Sequence, residues 1–396
     1  MPGPPQGRLA IFPGSFDLAA ADAVVGSGAS VLDVLERLID KSLVVVDRPT
    51  AGEAGDVRYR LLETIRAYGL ERHAASGDER PLGAALLDHF ARLVERAAAE
   101  FPGPDERRWI RRIALECDNL RAAMAVAIAG GDEDAALRLC GGLGQFWSVY
   151  GFLAESRVHV ESVLARSPNR VDRARARAQY ALGVLCRRLG DLDAAAAAFE
   201  ASCGVAREAG ERRQLALGLT ARSAIEADPD AARSVLDEAE GLFPGPDEED
   251  DRTRVAFARG LLAMRTGDDA LARDQFARSL ALFRRIGAPG GAMVALHNLG
   301  DTELRLEMID SAEAHLGESL LLADELGERR VAADTLRLLG LLALRRGREA
   351  EGLARSRVAA EAYAADGYVY GVDAVLDGLE SFGLRDELEA DLRSRR

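Results

Sequence analysis

The sequence predicts a mainly α-helical chain with a small mixed α/β unit at its front and an array of helix pairs at its back. Three observations lead there. Glycines 183, 260, 300 and 340 recur at intervals of 77, 40 and 40 residues. Residues 9–78 alternate between helical and strand periodicity. Almost everything between them has apolar residues at helical spacing.

The front unit reads as follows. "LAIF" is short and apolar. Asp17 is placed to cap a helix carrying Leu18, Ala21, Val24 and Val25. Ser30 is placed to cap a second helix, "VLDVLERLIDKS", with Val31, Leu35, Leu38 and Ile39 on one face. "LVVVD" is a strand, "RPTAGEAG" a loop rich in turn formers, and "VRYRLLE" a second strand. A helix follows from Thr64, with Ile65, Tyr68, Leu70 and His73 at helical spacings, and Gly77 stops it. Helix–helix–strand–loop–strand is the order of a winged helix, with the loop as its wing. The helix from Thr64 then reads as a link to the next domain. This gives a winged-helix-like domain over 8–78.

Residues 79–169 form a helical connector with a first degenerate repeat, broken at "FPGPDE", "GGDED" and "SPN". From 170 to 396 the repeat takes over, with a period of about 40. Twelve residues after each landmark glycine stands Ala195, Ala272, Ala312 or Gly352; twenty-seven after it stands Gly210, Gly287, Gly327 or Gly367. Seven after it stands Gly190, Gly267, Glu307 or Gly347. Small residues across a tight turn let two antiparallel helices approach. Phe199, Phe276 and Leu316 are expected to fill the gap between neighbouring units. The last glycine is expected to end the second helix in a left-handed cap. This is tetratricopeptide logic stretched from about 34 to about 40 residues, and such arrays curl into superhelices with a concave binding face. The 77-residue interval holds a degenerate unit, "LALGLTARSAIEADPDAARSVLDEAE", expected to have lost about three residues at its inner turn.

Composition narrows function. The net charge of −14 repels phosphate backbones over most of the surface. No apolar run reaches the length of a membrane helix, and no signal peptide is visible, so a soluble cytoplasmic protein is expected. The four cysteines, 117, 140, 186 and 203, form no CxxC pair and read as reduced, buried thiols. Lys41 is the one lysine, and alanine is abundant, a bias of GC-rich bacterial genomes. The five histidines lie apart in sequence, so no metal is expected.

"LAIFPGSFDLAAADAVV", "VLERLIDKSLVVVD", "RYRLLETIRAYGLERHAASGD" and "ECDNLRAAMAVAIAGGDEDAALRL" together resemble the large bacterial LuxR- and SARP-type transcriptional regulators of the signal-transducing ATPase class. The resemblance covers roughly residues 8–165 by motif, and the remainder through its repeats. It implies the order ATPase module, winged helix, tetratricopeptide superhelix and often a terminal helix-turn-helix. The sequence departs from that pattern twice. It has no GxxxxGK[ST] phosphate loop, and "FGLRDELEADLRSRR" at its end is no basic helix-turn-helix. The expectation is the back half of such a regulator, as a short paralogue or a fragment. It would use no nucleotide and no cofactor, would not be an enzyme, and would sense a small-molecule inducer or a protein partner in the repeat groove.

DNA contact through the winged helix is the less favoured reading. Residues 1–80 hold nine Arg/Lys against twelve Asp/Glu, and "VLDVLERLIDKS" carries two basic and three acidic residues. In the resembling family this unit usually packs on the ATPase module. A groove recruited as an enzyme pocket in specialised metabolism is a further alternative.

Groove candidates follow from repeat phase. Arg188, Arg265, Arg305 and Arg345 stand five residues after the landmarks and could clamp carboxylates; equally, they sit where cations favour the helix dipole. Tyr180, His297 and Arg337 stand three before, and Asp301 one after. His297 and Asp301, four apart, could make an imidazolium–carboxylate contact, which is no catalytic site without a nucleophile. Trp147 and Tyr150 in "QFWSVYGF" could stack on a ligand or belong to the core.

Overall fold

The computed structural model describes residues 5–394, apart from 27–30, 48–56, 75–78, 145, 147–152, 246–247, 249 and 366–367. Two compact units form. The first comprises 1–101 and 108–218, the second 102–107 and 219–396. Compaction and repeat phase therefore divide the chain at different places, 218 against 169.

The first unit opens with a helical turn, Pro5–Arg8, and a 3-10 turn, Leu9–Ile11. Helices α1 (Leu18–Val25) and α2 (Val31–Asp40) follow, then strands β1 (Val44–Asp47) and β2 (Arg58–Leu61). Asp17 caps α1, accepting from the Ala20 N–H at 2.7 Å. The strands pair antiparallel, with Val44 opposite Leu61 and Asp47 opposite Arg58. Phe16 extends the sheet by bridging Tyr59 on the other edge of β2. This is the expected winged-helix order. Ser30, Gly77 and the wing loop lie outside the described residues.

Helix α3 (Glu63–Ala74) does more than link domains. It packs back on the Leu9–Ile11 turn, where a Cβ on Gly69 would stand 2.6 Å from that of Ala10. It buries Gly69 and His73, packs Ile65 against the core and leaves Tyr68 and Leu70 exposed. Next come α4 (Glu79–Ala99), α5 (Glu106–Leu115), α6 (Cys117–Ile128), α7 (Glu133–Leu143) and α8 (Leu153–Arg166). The breaks fall where the turn formers stand. Phe12, Phe16, Val34 and Leu35 share one core with Leu86 and Phe90 of α4, so the winged helix is fused to the connector.

The first clean repeat is α9 (Arg173–Arg188) with α10 (Leu192–Glu208). Helix α9 packs on α7 at "GGLG", where a Cβ on Gly141 would stand 2.7 Å from that of Arg177. The degenerate pair is α11 (Arg212–Ser223) and α12 (Pro229–Gly241), and the unit boundary falls inside α11. The missing residues come from the helices, 12 and 13 residues long against 17 and 18 in a later pair, and not from the inner turn as the spacing suggested.

The second unit stacks three clean pairs. These are α13 (Thr253–Arg265) with α14 (Asp269–Arg285), α15 (Pro289–Arg305) with α16 (Ile309–Leu326), and α17 (Arg329–Arg345) with α18 (Glu349–Ala365). Helices α19 (Val369–Glu380) and α20 (Arg385–Ser394) follow. A Cβ on Gly260 would stand 2.6 Å from the Phe276 ring. The ring thus sits on its own unit's glycine as well as in a cluster with Leu296 and Leu299 of the next unit. The same-phase serines on the second helices, Ser279 and Ser319, donate to the Thr253 and Met293 carbonyls at 3.4 and 3.0 Å. They satisfy first-helix carbonyls inside a dry contact. Gly287 and Gly327 adopt the left-handed cap expected of them; Gly367 lies outside the described residues.

Candidate functional site

Two sets of polar side chains stand out. The first lies in unit one and joins three of the four stretches that carried the resemblance. Arg58 of "RYRL" reaches Glu116 of "ECDNLRAA" at 2.8 Å, and its Nε donates to the Ser15 hydroxyl at 2.8 Å. Glu116 also accepts from Asn119 Nδ2 at 2.7 Å and pairs with Arg112 at 3.2 Å. Arg112 in turn binds Asp17, the cap of α1. Asn119 closes the set, accepting from the Gly14 N–H and donating to the Ser15 carbonyl. Arg58, Glu116 and Asn119 are buried. Burial raises the Asp17 pKa, but the Ala20 N–H and the Arg112 and Arg58 charges outweigh it and hold the carboxyl below its ordinary value. Such a network fixes geometry. It ties the winged helix to α5 and α6. The outward face of α2 keeps Leu32, Asp33, Glu36, Arg37 and Asp40, more acid than base.

The second set is the repeat face of unit two. His297 on α15 meets Thr335 on α17, Nδ1 to Oγ1 at 2.9 Å. Asp334 accepts from the Tyr363 hydroxyl and lies 3.7 Å from Arg330, whose guanidinium stacks on the Tyr368 ring at 3.6 Å. The Arg337 charge acts on both Tyr363 and His297. Burial pushes the His297 pKa down, against the fields of Asp334 and Asp301, so the imidazole is neutral near pH 7.

The structure thus brings His297, Asp301 and Arg337 into one neighbourhood. The contact partners differ from the sequence expectation: His297 bonds Thr335, while Asp301 pairs with Arg305 at 3.4 Å. Tyr180 packs its ring on Phe199 at 5.7 Å in unit one. Arg188, Arg265, Arg305 and Arg345 are exposed in the last turns of α9, α13, α15 and α17. Arg345 donates to the Leu304 carbonyl at 3.0 Å, at the end of the neighbouring first helix. Trp147 and Tyr150 lie outside the described residues. Asp334, Thr335, Arg330 and Tyr363 were not singled out from sequence. Thr335 stands five residues before its landmark glycine, where the other repeats have Ala178, Val255 and Ala295, so repeat phase carried no signal for it.

Cys140, Cys186 and Cys203 are buried thiols and Cys117 is half-buried. Burial pushes the Cys140 thiol up to about 12, which leaves it unreactive. Among the described residues no His/Cys/Asp/Glu group could hold a metal ion, and no helix is long and apolar enough to cross a membrane.

Known proteins share these parts. Residues 7–74 match the winged helix-turn-helix domain family, and residues 176–208 match the tetratricopeptide repeat. A Mycobacterium tuberculosis protein named as a candidate HTH-type transcriptional regulator is 34% identical over 276 residues, 66% of this chain and 30% of its own length. A second protein of that organism, named as uncharacterized, is 42% identical over 88 residues, 21% of each chain. The chain therefore spans about 30% of the regulator it matches. Among solved structures, a chain of the APC/C hetero-tetramer Cut9–Hcn1 superposes with a TM-score of 0.51 at 15% identity, covering 81% of this chain and 61% of that one. That likeness is one of fold. The protein combines a winged-helix part with a tetratricopeptide part, and it is similar to proteins named as transcriptional regulators.

Proposed function

We propose that the chain is the regulatory binding part of a LuxR- or SARP-like transcriptional regulator of the signal-transducing ATPase class. It is a binding protein and not an enzyme. The repeat groove takes a protein partner or a small-molecule inducer, and the winged helix relays the bound state by packing instead of by reading DNA. The observation that carries this reading is the Arg58–Glu116–Arg112–Asp17 network. It fastens the winged helix to connector helices and leaves α2 with an outward face poor in positive charge, unsuited to phosphates. The similarity to named regulators supports the transcriptional setting.

Fluorescence anisotropy with a random-sequence DNA duplex at low salt tests it. The expected result is no saturable binding by the chain. Binding that weakens steeply with added salt, and that Arg37→Ala with Lys41→Ala abolishes, would make the winged helix the DNA reader and reverse the proposal.

A further inference from the structure

Helix α9 begins with Arg173 and Arg177, one turn apart on the stripe that continues to Tyr180. With α4, α7 and the segment before α9 they border a cleft of about 250 Å³ inside unit one. Two other arginines of this cleft are committed. Arg138 binds Asp134 at 2.7 Å and Glu95 and Asp88 at 3.2 Å each. Arg170 binds both Asp134 and Asp172. Among the described residues Arg173 has only Glu211, at 3.9 Å and the limit of contact.

Arg177 differs from all of these. It is half-buried, yet it has no hydrogen bond or ion pair among the described residues. Gly141 leaves room for the base of its side chain against α7. Burial and the neighbouring Arg173 charge push its pKa down, while Glu95, held by Arg138, attracts it only from a distance. A guanidinium taken from water without a partner is costly. Here it faces a cleft whose walls have already used their own acids.

We infer that this cleft binds a carboxylate, with Arg177 as the fork that receives it and Arg173 as the second cation. The planar guanidinium fits a carboxylate through two parallel hydrogen bonds. The group could belong to a small organic acid or to an acidic peptide segment. The inference rests on the reading of the repeats as a binding part, and it names the ligand chemistry of their first clean unit.

The test uses the full chain, with succinate and hexaglutamate as probes, followed by titration calorimetry at low salt. At least one probe is expected to bind saturably. Succinate alone points to a small acid, and hexaglutamate alone to a peptide segment. Arg177→Met should weaken binding by about tenfold or more, with a melting temperature equal to the parent's or higher. Arg177→Lys keeps the charge, loses the fork, and should also weaken binding. Arg233→Gln, at an exposed position of the other unit, should leave it unchanged; the double variant Arg265→Gln/Arg305→Gln reports separately on the groove column. Two results overturn the inference: no saturable binding of either probe at millimolar concentration, or binding that Arg177→Met leaves intact. If that surviving binding is lost in the double variant, the groove reading stands while this site falls. If no variant alters it, both fall.

Discussion

The winged-helix end and the three clean repeats hold themselves together by opposite means. The first buries charge: Arg58 is 6% exposed, and Glu116 and Asn119 are 0% exposed. The second buries smallness. Gly260 and Gly300 stand where any Cβ would meet Phe276 or Leu316 within 2.6 Å, and its buried polar groups include short ones such as Ser279, Ser319 and Thr335. A charged network defines one arrangement and tolerates little change. A small-residue contact can be repeated at each period. The difference suits a fixed junction in the first and an extendable stack of equivalent units in the second.

The largest test of this contrast is Glu116→Leu. It leaves the buried Arg58 and the half-buried Arg112 without their shared carboxylate and should cost about 3–5 kcal/mol. Adding Arg58→Met should recover a substantial part, because the uncompensated charge is gone. Urea unfolding of the three variants measures it. A loss under about 1 kcal/mol, the worth of a surface pair, would deny the network its structural role. The network also sets an acid limit. The folded Asp17 pKa lies below 3.8, so its contribution is fully present above that value and is lost as pH falls through the lowered folded value. Asp17→Asn should therefore flatten the acid limb of the stability profile.

Next in size is Gly260→Ala. The new methyl would press on the Phe276 ring, which is fully buried, and overpacking of this kind costs about 1–3 kcal/mol. Phe276→Leu in the same chain should relieve it. An unchanged melting temperature for the single variant would mean that the glycine is not the contact point of the pair.

The two regions were unequally legible, for a physical reason. Packing that repeats leaves a period in the sequence, so Gly260, Gly300 and the caps at Gly287 and Gly327 could be placed from spacing alone. The charge network does not repeat. Arg58 lies 58 residues from Glu116, and Gly14 lies 105 from Asn119. "RYRLLE" and "DNLRAA" were visible as family-like stretches, but nothing in either names the other as its partner. Repeat phase found His297 and Arg337 and missed Thr335, because a single-residue cross-helix bond occurs once. It missed Arg177 because an arginine on a helix looks the same in sequence whether or not it is paired. Spacing also placed the degenerate unit's shortening in its turn, whereas two short helices give the same interval.

A smaller effect has the opposite sign. Gly190, Gly267 and Gly347 take the inner turn with φ between 72° and 82°, and Glu307 takes the same position at 60°. A side chain in that left-handed region costs roughly 1–2 kcal/mol, part of which glycine returns as unfolded-state entropy. Glu307→Gly should stabilise the chain by about 1 kcal/mol in thermal unfolding. A loss instead would show that the Glu307 side chain supports the turn.

The smallest effect decides what the exposed arginines do. Arg345 donates from the neighbouring first helix to the Leu304 carbonyl in the last turn of α15, which also accepts from the Glu307 N–H at 3.3 Å. Arg265 holds the same place in its own repeat and makes no hydrogen bond or ion pair among the described residues. If the column serves helix ends, the two positions should differ. Arg345→Gln should cost about 0.3–1 kcal/mol, the usual worth of a cation at a helix terminus, and Arg265→Gln should cost less. If the column instead clamps an anionic ligand, both should weaken binding of an acidic probe at low salt, whatever they do to stability. Melting temperature and hexaglutamate affinity, measured on both single variants, separate the two roles. A stability loss at 345 with affinity intact at both positions assigns the column to helix-end chemistry. Equal affinity losses with unchanged melting place it in the groove.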